Sequence, residues 1–268
     1  MAKFEGKTML IAGCKGVADE LARLICEEGG TVIVNDPDSA LTDAITAPVA
    51  LKLNYGTSME DSSAMIEEII GKWTMDEATK TVNHESEGKF EKLDVVVMNF
   101  DEYEAAKLRT EQVTKEAYRT VMDGNVTPTF HLFAAIRDHF RAKQDSKEQA
   151  SVLILGSVAG LSGLSIGSLY AAAKAAQFGM TRSMAKEFGK FANVNAIAQG
   201  FYSEKTNRPG PKDKEKKDFL STKTALADEE LTYADVAHFA AFLVSESARM
   251  ISGQIMAMDG GLWLRVQA

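Results

Sequence analysis

Short runs of apolar residues recur along the chain, separated by longer stretches in which apolar positions fall at helical spacing. The apolar runs are TMLIA (8–12), TVIVN (31–35), PVALKL (48–53), LDVVVMN (93–99), ASVLIL (150–155), VNAIA (194–198) and QIMAMD (254–259). Between the first two lies VADELARLICEEG, where Leu21, Leu24 and Ile25 step along one helical face. Strand runs that are apolar throughout, rather than alternating, suit a parallel sheet covered on both faces. The pattern predicts an α/β protein: one doubly wound parallel sheet of about seven strands flanked by helices, in a single domain spanning 1–268.

Two segments break the rhythm. Residues 73–92, WTMDEATKTVNHESEGKFEK, are longer than a connection between a helix and the next strand requires, and read as a solvated surface insertion. Residues 203–230 are polar, contain Pro209-Gly210-Pro211, and follow a strand end. Ligands of open α/β sheets bind at strand ends, so this segment is expected to be a substrate loop.

Composition narrows the function. The chain has 268 residues, 45% hydrophobic and 25% charged, enough to bury a full core. A formal charge of −8 argues against a nucleic-acid partner. No run reaches the roughly 18 apolar residues of a membrane span, and MAKFEGKTML lacks a signal-peptide core, so no membrane association is expected. Cys14 and Cys26 are too few for a disulfide framework, and the four scattered histidines form no ligand spacing with them. A cytoplasmic protein without a metal site is expected.

The chemistry concentrates in two places. In SLYAAAKAAQFGM, Tyr170 and Lys174 stand four residues apart and share a helix face. A phenol ordinarily titrates near 10, and an adjacent ammonium favours its ionised form, which makes it a usable acid/base. Ser157 lies thirteen residues earlier, directly after a strand run, in LILGSVAG. There its hydroxyl can hold a substrate oxygen that Tyr170 protonates.

The second place is IAGCKGVADE, after the first strand. Gly13 and Gly16 supply a turn that opens a helix, the geometry that presents backbone N–H groups to phosphate. Asp36 ends the second strand run 23 residues beyond Gly13, near the roughly 20-residue spacing of an acid that binds an adenosine ribose. A carboxylate there accepts from both ribose hydroxyls and repels a 2′-phosphate, which favours NAD(H), although Lys15 could attract that phosphate and NADP(H) stays open. Asp36 in NDPDS also suits a turn or helix cap.

GSVAG, YAAAK, VNAIAQGF and MDGG together resemble the short-chain dehydrogenase/reductase family, and within it the 3-oxoacyl-acyl-carrier-protein reductase type, from about residue 4 to 263. The resemblance implies an NAD(P)(H)-dependent oxidoreductase that interconverts a carbonyl and a secondary alcohol, with Ser157, Tyr170, Lys174 and Asn125 of DGNV as catalytic residues. It implies that Asn125 holds a water linking Lys174 to solvent, and that Lys174 binds the nicotinamide ribose. Cofactor contacts are expected at Gly13, Lys15, Gly16, Val17, Asp36, Asn54, Asn99, Tyr170, Lys174, Gly200 and Tyr202. It also implies a homo-oligomer, tetramer or dimer, built through helices around 115–142 and 168–190.

The chain departs from the family pattern at several points. Its glycine turn is one residue short and Ala18 replaces the last glycine. Asn99-Phe100-Asp101 stands for Asn-Ala-Gly, Asn54 for an aspartate, and Gln199-Gly200 for Pro-Gly. These departures motivate an alternative: a cofactor-poor subunit that keeps the fold and partners an active paralogue. A non-redox enzyme using Tyr170 as acid/base is a third possibility.

Overall fold

The computed structural model describes residues 2–76, 81–103, 108–142, 149–163, 167–200 and 231–261. Seven strands form one parallel sheet: β1 (Thr8–Ala12), β2 (Thr31–Asn35), β3 (Leu51–Leu53), β6 (Val95–Met98), β7 (Ala150–Ser157), β8 (Ala192–Gln199) and β9 (Ile255–Met258), in the order β3-β2-β1-β6-β7-β8-β9. Each coincides with one of the apolar runs. The order steps outward from β1 in one direction and from β6 in the other. The crevice at the carboxyl ends of β1 and β6 is therefore the switch point, where such sheets bind ligands.

The all-apolar strands are explained by helices on both faces. On β1, Leu10 and Ala12 enter one core with α3 (Met59–Ile70), α4 (Lys115–Arg141) and α6 (Ser168–Glu187). Met9 and Ile11 enter the other, with α1 (Ala18–Glu27) and α7 (Tyr233–Leu243). The same alternation divides Val152 and Ile154 from Leu153 and Leu155 on β7. Each fully buried side chain of this kind contributes about 1.5–3 kcal/mol of transfer free energy, which makes the central strands the rigid base of the site.

The segment read as a solvated insertion contains secondary structure of its own. β4 (Trp73–Asp76) and β5 (Thr81–His84) pair antiparallel, with Trp73 opposite His84, and the hairpin packs against α4. Glu85 N donates to Lys72 O at 2.7 Å, and Lys72 Nζ pairs with Glu85 at 2.8 Å, extending the pairing beyond the strands. Among the described residues no helix is long and apolar enough to cross a membrane.

Candidate active site

The glycine turn joins β1 to α1 at the switch point. Gly13 adopts φ +96°, and a Cβ there would lie 2.4 Å from the carbonyl oxygen of Asn99, at the end of β6. Only glycine allows this approach. Asn99 in turn fastens the loop, its Nδ2 donating to Gly13 O at 3.1 Å and Lys15 O at 2.7 Å. Gly16 adopts φ +61° beneath the ring of Tyr233. Val17 is the buried N-cap of α1 and offers no side-chain cap, which leaves the first-turn N–H groups of the helix without a capping side chain. The turn is one residue short of the family pattern and still delivers a close backbone approach and an uncapped helix start. The Lys15 side chain is exposed.

Asp36 sits beside this turn. Its Oδ2 accepts from Cys14 N at 2.8 Å and its Oδ1 from Asp38 N at 3.0 Å, so it serves as a turn residue while its carboxylate faces the loop. Asn54 Nδ2 donates to Asp36 O at 3.0 Å and to Thr42 Oγ1 at 2.9 Å, holding the strand end in place. Burial, reinforced by the Asp36 carboxylate, pushes the Cys14 thiol up to about 12. The thiolate is the nucleophile, so alkylation at mildly alkaline pH is expected to label Cys26 well before Cys14 in the folded protein, read by peptide mass spectrometry. Equal labelling rates would refute this placement.

The side chains expected to be catalytic gather on the other side of β6. Tyr170 and Lys174, on adjacent turns of α6, are both nearly fully buried. They meet at a carboxylate: Tyr170 Oη donates to Asp101 Oδ1 at 2.7 Å, and Lys174 Nζ stands 3.0 Å from the same oxygen. Lys174 Nζ also donates to Phe100 O at 2.8 Å. The Tyr103 and Tyr170 rings meet in a T-shaped contact, 4.9 Å between centroids.

Ser157 ends β7, next to α5 (Ala159–Ser162), and its Oγ accepts from Ala159 N at 3.3 Å. Glycines lock this strand end onto α6: a Cβ at Gly156 would lie 2.5 Å from the Phe178 ring, and one at Gly160 would lie 2.7 Å from the Lys174 backbone. Ala159, two residues after Ser157, shares a cluster with Tyr170, Ala173 and Val121, which packs this segment against α6.

Asn125 is fully buried on α4, but its amide is engaged locally. Nδ2 donates to Glu102 O at 3.0 Å and Val121 O at 2.8 Å, and Oδ1 accepts from Glu102 N at 3.3 Å. Its backbone carbonyl accepts from Gln177 Nε2 at 2.9 Å and Thr129 Oγ1 at 2.7 Å. Gln199 uses its side chain as a proline could not, donating from Nε2 to Gly156 O at 3.1 Å. Gly200 is pressed against Asp259, where a Cβ would lie 2.8 Å from Cα. Tyr202 and the expected substrate loop 203–230 lie outside the described residues.

The structure thus brings Tyr170 and Lys174 together, with the Ser157 strand end packed on their helix, and places Gly13, Gly16, Val17, Asp36 and Asn99 around the glycine turn. Sequence reasoning did not find Asp101 or Gln177 as members of the site. The signal for Asp101 was the replacement of a family glycine by an acid.

Comparison with known proteins agrees with this fold. The family model described as enoyl-(acyl carrier protein) reductase matches residues 11–263. The chain is 26% identical over 266 residues to 3-oxoacyl-[acyl-carrier-protein] reductase of Thermotoga maritima, covering 97% of this chain and 99% of that one. It is 26% identical over 270 residues to an uncharacterized oxidoreductase of Methylorubrum extorquens, covering 98% and 100%. Its fold matches that of 3-ketoacyl-(acyl-carrier-protein) reductase of Brucella melitensis complexed with NADH, with a TM-score of 0.76, 22% identity and coverage of 97% and 99%. A short-chain type dehydrogenase/reductase from Mycobacterium ulcerans gives a TM-score of 0.78 at 22% identity, covering 98% and 92%. A Rossmann sheet with a glycine turn at its switch point and a buried Tyr-Lys pair across β6 is thus joined to near-full-length family matches, and the chain, similar to the 3-oxoacyl-acyl-carrier-protein reductase type, belongs to the short-chain dehydrogenase/reductase family as an NAD(P)-dependent oxidoreductase.

Proposed function

We propose that this enzyme interconverts a small-molecule carbonyl and its secondary alcohol with NAD(H), using Tyr170 as the acid/base. The observation that carries the reading is the convergence of the buried Tyr170 hydroxyl and Lys174 ammonium on one oxygen beside the switch-point crevice. In the proposed mechanism, Ser157 orients the substrate oxygen, Tyr170 gives it a proton or takes one, and Lys174 provides the positive charge that makes the phenol ionisable. The glycine turn from Gly13 to Val17 fits a pyrophosphate, by its close approach to Asn99 and the uncapped start of α1. When bound, the nicotinamide supplies or accepts the hydride.

Asp36 supports NAD(H) over NADP(H), because its buried carboxylate stands beside the turn, where a 2′-phosphate would meet like charge. Asn54, which holds the Asp36 carbonyl, is the proposed adenine-side contact, and Gly200 with Tyr202 the nicotinamide-side one. A cytoplasmic homo-oligomer built through α4 and α6 is proposed with it, supported by the exposed Tyr118 and Phe130 on α4. The reading of the chain as a cofactor-poor subunit is not favoured, since the turn and the Tyr-Lys pair are both formed.

Fluorescence titration of the protein with NADH and, separately, NADPH tests the reading. Saturable NADH binding with weaker NADPH binding is expected, and Asp36→Ala should narrow the gap between the two. Failure of both nucleotides to bind would sink the proposal.

A further inference from the structure

We propose that Asp101 is a catalytic residue, the direct proton partner of Tyr170: it takes the phenol proton during alcohol oxidation and returns it during carbonyl reduction. This rests on the reading of Tyr170 as acid/base. The carboxylate is no passing surface group. Its side chain is 5% exposed, and its Oδ1 accepts from Tyr170 Oη at 2.7 Å while standing 3.0 Å from Lys174 Nζ. A carboxylate buried this far without a cation costs several kcal/mol, so Lys174 is what allows the acid to stay ionised there.

The backbone on both sides of Asp101 is fixed. Phe100 O accepts from Lys174 Nζ, and Glu102 exchanges two hydrogen bonds with the Asn125 amide. Asn125 is therefore occupied in holding this loop in place, while its own carbonyl accepts from Gln177 and Thr129. The group best placed to exchange a proton with Tyr170 is the acid that already accepts its hydrogen bond.

The transfer balances. In oxidation the alcohol O–H bond breaks and its proton bonds to the Tyr170 oxygen. The original Tyr170 O–H bond breaks and that proton bonds to Asp101 Oδ1. The carbon loses a hydride with its electron pair, so the alcohol is oxidised and the nicotinamide is reduced. Asp101 ends the step as a neutral carboxyl and releases its proton to solvent before the next turnover. Reduction runs the same transfers backwards.

A carboxylate that accepts from a phenol favours the neutral phenol and opposes the effect of Lys174. Among the described residues, the titratable groups that meet Tyr170 include Asp101 and Tyr103 from the loop after β6 and Lys174 from α6, while α4 and α5 present the uncharged Val121 and Ala159. Removing the Asp101 charge should therefore let Tyr170 ionise at lower pH.

The test is Asp101→Asn in the full chain, with Asp101→Ser as a second variant should the first fold poorly. Tyrosinate absorbance is followed against pH without nucleotide, and Tyr170→Phe identifies the Tyr170 contribution. The midpoint for Tyr170 is expected to fall by about one pH unit or more in the variants. Turnover should fall about a hundredfold, with NADH binding retained and partial recovery in Asp101→Glu. An unchanged Tyr170 midpoint, or turnover equal to or above wild type, overturns the proposal. Wild-type protein that neither binds NADH nor turns over any carbonyl would instead overturn the functional reading beneath it.

Discussion

Tyr170→Phe is expected to lower turnover by at least about a hundredfold while leaving NADH affinity nearly unchanged, the size of effect general acid/base groups have elsewhere. The substitution removes one oxygen and keeps the ring. That ring packs with Val121, Ala159 and Ala173 and makes a T-shaped contact with Tyr103, so packing survives. Lys174 stays 3.0 Å from Asp101 Oδ1, so no buried charge loses its counter-ion. The stability loss should stay near the roughly 1.5–3 kcal/mol of one hydrogen bond to a charged group. Steady-state kinetics beside a nucleotide titration check both halves. A variant that keeps more than about a tenth of wild-type turnover would remove Tyr170 from the chemistry.

The difference between what could and could not be read from the sequence has a physical origin. The strands of the main sheet were legible, the central ones because a strand covered on both faces must be apolar at successive positions, as Val95–Met98 is at all four. The β4–β5 hairpin was not, since WTMDEATKTVNH carries no such run and its pairing depends on packing against α4. Tyr170 and Lys174 were legible because an interval of four residues on a helix fixes their relation. Asp101 lies 69 residues from Tyr170, and its role arises only when the β6 loop is laid against α6. The glycine turn looked defective by spacing alone. Its shape rests on the Gly13 approach to Asn99, a contact across 86 residues that a deletion two positions later does not disturb.

That contact makes Gly13→Ala the second large effect. The residue holds φ +96°, where an L side chain costs about 1–2 kcal/mol. The added methyl would also stand 2.4 Å from Asn99 O and 2.7 Å from its carbonyl carbon, both backbone atoms that cannot swing aside. Asn99 is anchored by its own N–H to Ala12 O at 2.7 Å and by its amide to Gly13 O and Lys15 O. Relief requires moving the end of β6 or the glycine turn, and either opens the crevice. A total destabilisation of about 2–4 kcal/mol is expected, together with at least a tenfold loss of NADH affinity, since 1.4 kcal/mol in the bound state is a factor of ten. Gly6→Ala separates the causes: Gly6 holds φ +68° with nothing within 4 Å of an added Cβ, so it carries the backbone strain without the clash. Denaturant melts and NADH titrations of the two variants side by side measure the difference. If Gly13→Ala behaves like Gly6→Ala in both, the close approach to Asn99 does not shape the cofactor site, and the shortened turn must hold the nucleotide by some other contact.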